Sequence, residues 1–217
     1  MIPVIHADDD VLVVDKPAGV ATIPGYDRRA PSLLERVAEQ VGQRLFVVHR
    51  LDGPVSGVLL FARHAAAHRA LSMAFEARRV EKTYLALAHG VIEPEHGVIE
   101  APLRKFGSGR MGVDPRRGKA STTTFRVLER IGPYTLVEAH PVTGRRHQLR
   151  VHFYHLGYPL VGDPLYGDVD VQSRYPRLLL HAHRLQVPLP DGREPTFTAP
   201  LPADFRAVVE ALRTEGA

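Results

Sequence analysis

In "VVHRLDGPVSGVLLFAR", residues 47–63, His49, Arg50 and Asp52 stand between two apolar runs. Charged groups beside core sequence are costly to desolvate, so each needs a partner or a task. Asp52 leaves an apolar strand and opens a turn, "DGPVSG", before the next apolar run. A strand-to-turn junction on a rigid scaffold can present a carboxylate to a cleft. Asp also forms turns through bonds to its own backbone, and spacing alone leaves both roles open.

A second polar cluster fills "PVTGRRHQLRVHFYHLGYPLVGDPLYG", residues 141–167. Arg145, Arg146 and Arg150 fall near the start of an expected helix over 145–157, with His147 and Gln148 between them. Cations at a helix N-terminus oppose its macrodipole, so a phosphate or a buried carboxylate must compensate them unless that face is solvated. His147, His152 and His155 are spaced five and three apart, which puts only the last two near one face. No carboxylate-rich partner accompanies them, and no metal site is expected. There is no Gly-x-Ser-x-Gly elbow and no phosphate-binding Walker loop.

The elements that must position these groups are mostly strands. Residues 11–15, 45–48, 57–62, 83–92, 122–129, 134–140 and 178–187 are rich in aliphatic and β-branched side chains bounded by turn formers. "RIGP" reads as a hairpin connection between 122–129 and 134–140. Helices are expected over 65–79, with Ala67, Leu71 and Phe75 at helical spacing, and over 203–213. Gly157 is the expected stop of the 145–157 helix. The expectation is an α+β protein: one mixed, mainly antiparallel sheet with flanking helices, a single domain over 1–217.

Composition narrows the function classes. The 217 residues are 44% hydrophobic and 24% charged, as in soluble globular proteins. Cysteine is absent, which excludes disulfides and thiol nucleophiles. No stretch nears the roughly 18 apolar residues of a membrane span, and "MIPVIHADDD" has no signal-peptide pattern. A cytoplasmic protein is expected. The net charge of +4 is modest, but residues 104–130 carry eight basic residues against two acidic ones. Much of that span, "RKFGSGRMGVDPRRGKAS", lacks apolar periodicity and reads as a mobile basic loop, either simply solvated or reaching for phosphates.

Taken together, five ordered motifs closely resemble the RluA family of RNA pseudouridine synthases. "HRLDGPVSG" is similar to its signature His-Arg-Leu-Asp-x-x-Thr-Ser-Gly, with Val55 at the usual Thr. "DDDVLVVDKPAGVATIPG", "EKTYLALAHG", "TGRRHQLRVHFYHLGYPLVGDPLYG" and "RLLLHAHRLQVPLP" followed by "FTAPLPADF" resemble the rest, spanning roughly residues 8–205. The resemblance implies isomerisation of uridine to pseudouridine in structured RNA, with a transfer RNA anticodon stem-loop as the first expectation and a 23S ribosomal RNA stem-loop as the other, and no cofactor. It assigns Asp52 as the essential carboxylate, Arg150 as the guanidinium that keeps it ionised, and Tyr84 as the ring packing on uracil. Arg50, Arg145, His147 and Gln148 are assigned to substrate, while His49 and Lys82 are read as structural. Only about seven residues precede the first core strand, so no S4-type RNA-binding domain is expected ahead of it, and a monomer is expected. The rivals are a non-catalytic RNA-binding protein on the same fold and a hydrolase using Asp52 with a histidine.

Overall fold

A computed structural model describes residues 1–25, 30–107 and 109–215. They divide into two compact units, one comprising Met1–Lys82 with Ala182–Pro200, the other Thr83–His181 with Leu201–Ala217.

The first unit opens with β1 (Val4–Ala7), β2 (Val11–Lys16), helix α1 (Leu33–Val41), β3 (Phe46–Val47), β4 (Ser56–Ala62) and α2 (Ala65–Glu76). β2 pairs antiparallel with β1 on one side and β4 on the other. All seven residues of β4 are buried, the pattern of a strand covered on both faces. Leu71 and Ala67 of α2 pack with Val58 and Leu60 of β4 in one apolar cluster, as their helical spacing predicts. Helix α1 was not expected, although "SLLE" announces it. Ser32 caps the first turn, Glu35 reaches back to the Ser32 backbone, and Gly42 ends the helix in the left-handed region. Gly57 is required where it stands: its φ is +116°, and a Cβ there would collide with the backbone of Ala182.

The second unit contains most of β5 (Glu81–His89), then β6 (His96–Glu100), β7 (Leu103–Lys105), β8 (Met111–Val113), β9 (Thr122–Ile131) and β10 (Tyr134–Pro141). It is antiparallel, with the strands of its main sheet in the order β5-β10-β9-β6. β10 pairs antiparallel with both β5 and β9, and β9 with β6. Gly132, with φ of +51°, makes the expected tight β9–β10 connection. Helices α3 (Gln148–His155) and α4 (Val169–Gln172) follow. Most of β11 (Leu180–Gln186) and all of β12 (Thr196–Thr198), which pair antiparallel, belong to the first unit, while α5 (Ala203–Glu215) belongs to the second and buries Phe205 and Val209 on Leu87 and Leu179. The α+β class with mostly antiparallel strands is therefore the fold observed.

The basic segment is not the structureless loop its composition suggested. β7 and β8 form an antiparallel hairpin, with Leu103 opposite Val113. Beyond it, Asp114 accepts the backbone N–H groups of Arg116 and Arg117 and pairs with Arg104 at 2.8 Å. Gly118 closes this turn where a Cβ would crowd Pro102 and Asp114. The quoted run also includes Ser108, which lies outside the described residues. Among the described residues, no helix is long and apolar enough to cross a membrane.

Candidate active site

Asp52 occupies the first position of a turn between β3 and β4. The turn is closed by the Val55 N–H donating to the Asp52 carbonyl at 3.1 Å, so its shape rests on backbone bonding. The preceding segment 16–22 grips it. Lys16, fully buried at the end of β2, donates from Nζ to the carbonyls of Val55 (2.7 Å), Pro17 (2.9 Å) and Gly53 (3.0 Å). Thr22 Oγ1 donates to the Leu51 carbonyl and accepts the Leu51 N–H, while the Gly19 N–H donates to Gly53. Residues 51, 53 and 55 are thus pinned around a half-buried Asp52. Val55, the departure from the family motif, is buried, and both its backbone groups take part in this bonding. Neither Lys16 nor Thr22 was singled out from sequence, though a lysine ending the run "VLVVD" is the visible sign of a buried cation.

His49 supports the same junction from behind. Its Nε2 accepts the Leu60 N–H at 3.1 Å and its ring stacks on Phe75, with centroids 4.8 Å apart. Burial, reinforced by the Lys82 ammonium, lowers its pKa from 6.5 to about 3, so the imidazole is neutral. Burial, with a smaller contribution from Arg78, also lowers the pKa of Lys82. The neighbouring Arg50 is exposed.

In the second unit, Arg150 lies buried on α3 and forms a two-point ion pair with the buried Asp163, Nε to Oδ2 at 2.7 Å and Nη2 to Oδ1 at 2.6 Å. Of the compensations open from sequence, a buried carboxylate is the one found for this arginine. Asp163 Oδ1 also accepts the N–H groups of Leu165 and Tyr166, so "GDPLYG" wraps around its own carboxylate. Helix α3 begins at Gln148, three residues later than expected, because His147 takes a left-handed conformation (φ +55°). That conformation is uncommon without glycine and is held by a 2.9 Å bond from His147 Nδ1 to the Tyr166 hydroxyl. Arg145 and Arg146 therefore precede the helix. Gly157 follows it with φ of +86°, as expected.

Gln148 is an internal bolt. Its Oε1 accepts from Thr143 Oγ1 (2.6 Å) and the Arg145 N–H (3.0 Å), and its Nε2 donates to the Thr122 carbonyl (2.9 Å) and Thr123 Oγ1 (3.0 Å). Those four bonds use its full amide capacity, which places the residue in the scaffold rather than against a ligand. His152 is likewise absorbed, its ring bonded to Thr123, Ser121 and the Ala101 carbonyl, with its pKa lowered by burial. Arg145 is part-exposed and donates to the Ala120 carbonyl at 3.2 Å. Tyr84 is half-buried on β5, opposite Ala139 of β10.

Two measurements test this framework. Lys16→Met strands carbonyls of the Asp52 turn, and chemical denaturation should show a loss of about 3 kcal/mol. His49 is held neutral when folded but protonates below 6.5 when unfolded, so its contribution is complete above pH 6.5 and fades as pH falls toward about 3. His49→Gln keeps the acceptor without the titration; denaturation at several pH values should show an acid limb shallower by up to about 1.4 kcal/mol per pH unit.

Comparison with known proteins places these features. A family model described as RNA pseudouridylate synthase matches residues 10–155. The chain is 43% identical over 209 residues to an uncharacterized RNA pseudouridine synthase of Chloroflexus aurantiacus, covering 92% of this chain and 66% of that protein. It is 35% identical to the ribosomal large subunit pseudouridine synthase D of Pseudomonas aeruginosa, covering 98% of this chain and 72% of the relative. This chain thus spans about two thirds of the length of such relatives. The solved human RNA pseudouridylate synthase domain containing 1 superposes with a TM-score of 0.80 at 32% identity, over 98% of this chain and 95% of that one. The matched span holds both the pinned Asp52 turn and the Arg150 helix, and this chain belongs to the RNA pseudouridylate synthase family of isomerases.

Proposed function

We propose that this protein converts uridine to pseudouridine within structured RNA, with Asp52 as the catalytic carboxylate. The observation that carries this reading is the turn 51–55, fixed through its backbone by Lys16, Thr22 and Gly19 while Asp52 itself is only half-buried. A catalytic group must be held in a fixed geometry, and the backbone bonding of this turn supplies one.

The reaction breaks N1–C1′, rotates the uracil while it stays bound, joins C5 to C1′, releases the C5 proton and leaves N1 to take up a proton, so that the atoms balance. It is an isomerisation with no net redox change, so it calls for no electron acceptor, and the reaction is proposed to proceed without a cofactor. The nucleotide must first leave its stack, at a cost of a few kcal/mol, and Arg50, exposed beside Asp52, suits the vacated space or its phosphate. Asp52 attacks C1′ or assists uracil departure through a glycal; both routes need the carboxylate. Arg150 is its proposed guanidinium partner. Tyr84 packs on the uracil and takes part in removing the C5 proton. Arg145 and His147 act at the RNA side of the α3 entrance.

For the RNA itself, relatives named for the ribosomal large subunit favour a large-subunit ribosomal stem-loop. A transfer RNA anticodon stem-loop is the second reading, because sequence-specific RNA recognition targets local shape and splayed loop bases. The protein is proposed to act as a cytoplasmic monomer. Incubation with unmodified transcripts of both RNAs, followed by digestion to nucleosides, separates the outcomes. Pseudouridine supports the proposal, free uracil would mean a hydrolase, and neither product would leave a binding protein.

Asp52→Asn should abolish tritium release from C5-labelled RNA while RNA affinity falls less than tenfold, about 1.4 kcal/mol. Appreciable turnover by this variant would reject the assignment. Arg116, Arg117 and Lys119 are exposed beyond the hairpin. Neutralising all three should flatten the dependence of RNA affinity on salt, and an unchanged slope would mean that they meet no phosphate.

A further inference from the structure

The β7–β8 hairpin packs on α3 through Leu103, Val151 and Tyr166, with Met111 and Val113 against them. Above this small core opens a cavity of about 460 Å³, whose lining includes Phe106, Arg110, Met111, Tyr154, His155 and Tyr166. It lies wholly within the second unit, and none of the residues assigned above to catalysis or substrate lines it. Two of its rings face solvent: Tyr154 is 45% exposed and Phe106 40%. The Arg110 guanidinium stands 5.6 Å from the Tyr154 ring centre and 4.8 Å from that of Tyr166, and Arg104 stands 5.0 Å from Phe106. No carboxylate is among its described lining residues, while Lys105 and Arg110 are exposed nearby.

Aromatic faces beside planar guanidinium groups, with no carboxylate in the described lining, suit a flat apolar group that carries an anion. A nucleobase on its phosphodiester chain has that chemistry, since base stacking on aromatic and arginine planes is sequence-tolerant and the backbone supplies the charge. A cationic ligand would find no carboxylate in the described lining, the neighbouring Asp114 being engaged by Arg104, and a purely apolar one would leave Arg110 and His155 desolvated without gain. We infer that this pocket takes a second, unstacked base of the RNA and so contributes to choosing the substrate. The inference rests on the RNA reading above and deepens it by naming a base-binding residue, Tyr154, outside the reaction centre.

The test compares binding of a short polyadenosine oligonucleotide with an abasic oligonucleotide of equal length at low salt. Wild-type protein should prefer the base-bearing strand, and Tyr154→Ala should weaken that binding roughly five- to tenfold while leaving abasic binding unchanged. Tyr154→Phe, which keeps the ring, should restore it. Ultraviolet crosslinking of wild-type protein should attach RNA to the segment carrying Phe106 or Tyr154. Equal binding of the two strands by wild-type protein, or equal losses for both strands in Tyr154→Ala, would overturn the inference. Pseudouridine is read separately on an unmodified ribosomal transcript. Its absence with wild-type protein would overturn the catalytic reading, while the strand comparison still decides this one.

Discussion

A buried ammonium on three backbone carbonyls is the constraint from which the Asp52 site follows. Lys16 lies at the end of β2 with no solvent exposure, where an ammonium without bonds would cost several kcal/mol. Its bonds to Pro17, Gly53 and Val55 offset that cost only while the turn after Asp52 keeps its shape. Any loosening of the turn therefore exposes a desolvated charge, which makes the geometry steep rather than soft. Thr22 adds a reciprocal pair of bonds to Leu51, and the segment that carries it also receives the first N–H groups of α1. The helix start, the 16–22 segment and the turn are thus one hydrogen-bonded body.

The second unit uses a different device. Arg150 and Asp163 are both inaccessible, and a buried ion pair of this kind adds little stability relative to an apolar pair. Its structural effect is directional, because a two-point contact fixes the plane of the guanidinium. Asp163 is itself fixed by two backbone N–H groups of the turn it begins, and Tyr166 in that turn bonds to His147 at the helix entrance. Burial raises the phenol pKa of Tyr166, keeping it protonated, and the hydroxyl also accepts the Met111 N–H. The same tyrosine therefore joins the Arg150 pair, the unusual backbone at His147 and the β7–β8 hairpin.

Much of this was legible beforehand. Uninterrupted aliphatic runs marked β2 and β4, since strands buried on both faces need no polar alternation. Helix α2 and the glycine stop of α3 followed from local rules of spacing and backbone freedom. Helix α1 was missed although its capping box lies in plain view at Ser32 and Glu35. The β7–β8 hairpin was missed for a better reason. Its strands are three residues each, too short for periodicity, and they are held by packing on α3 rather than by their own sequence. Gln148 shows the limit of motif reading: the motif marked it for substrate, and its four bonds put it in the scaffold.

By itself the sequence determined which chemistry-bearing groups exist, in what order, and on which strands and helices most of them sit. Those properties depend on side-chain type and on neighbours a few positions away. Only the tertiary structure decided that Lys16 grips the Asp52 turn across 39 positions of chain, that Asp163 is a counter-ion of Arg150, and that His49 stays neutral. Desolvation and hydrogen-bond partnership depend on what distant segments bring alongside, and no local pattern of residues specifies that.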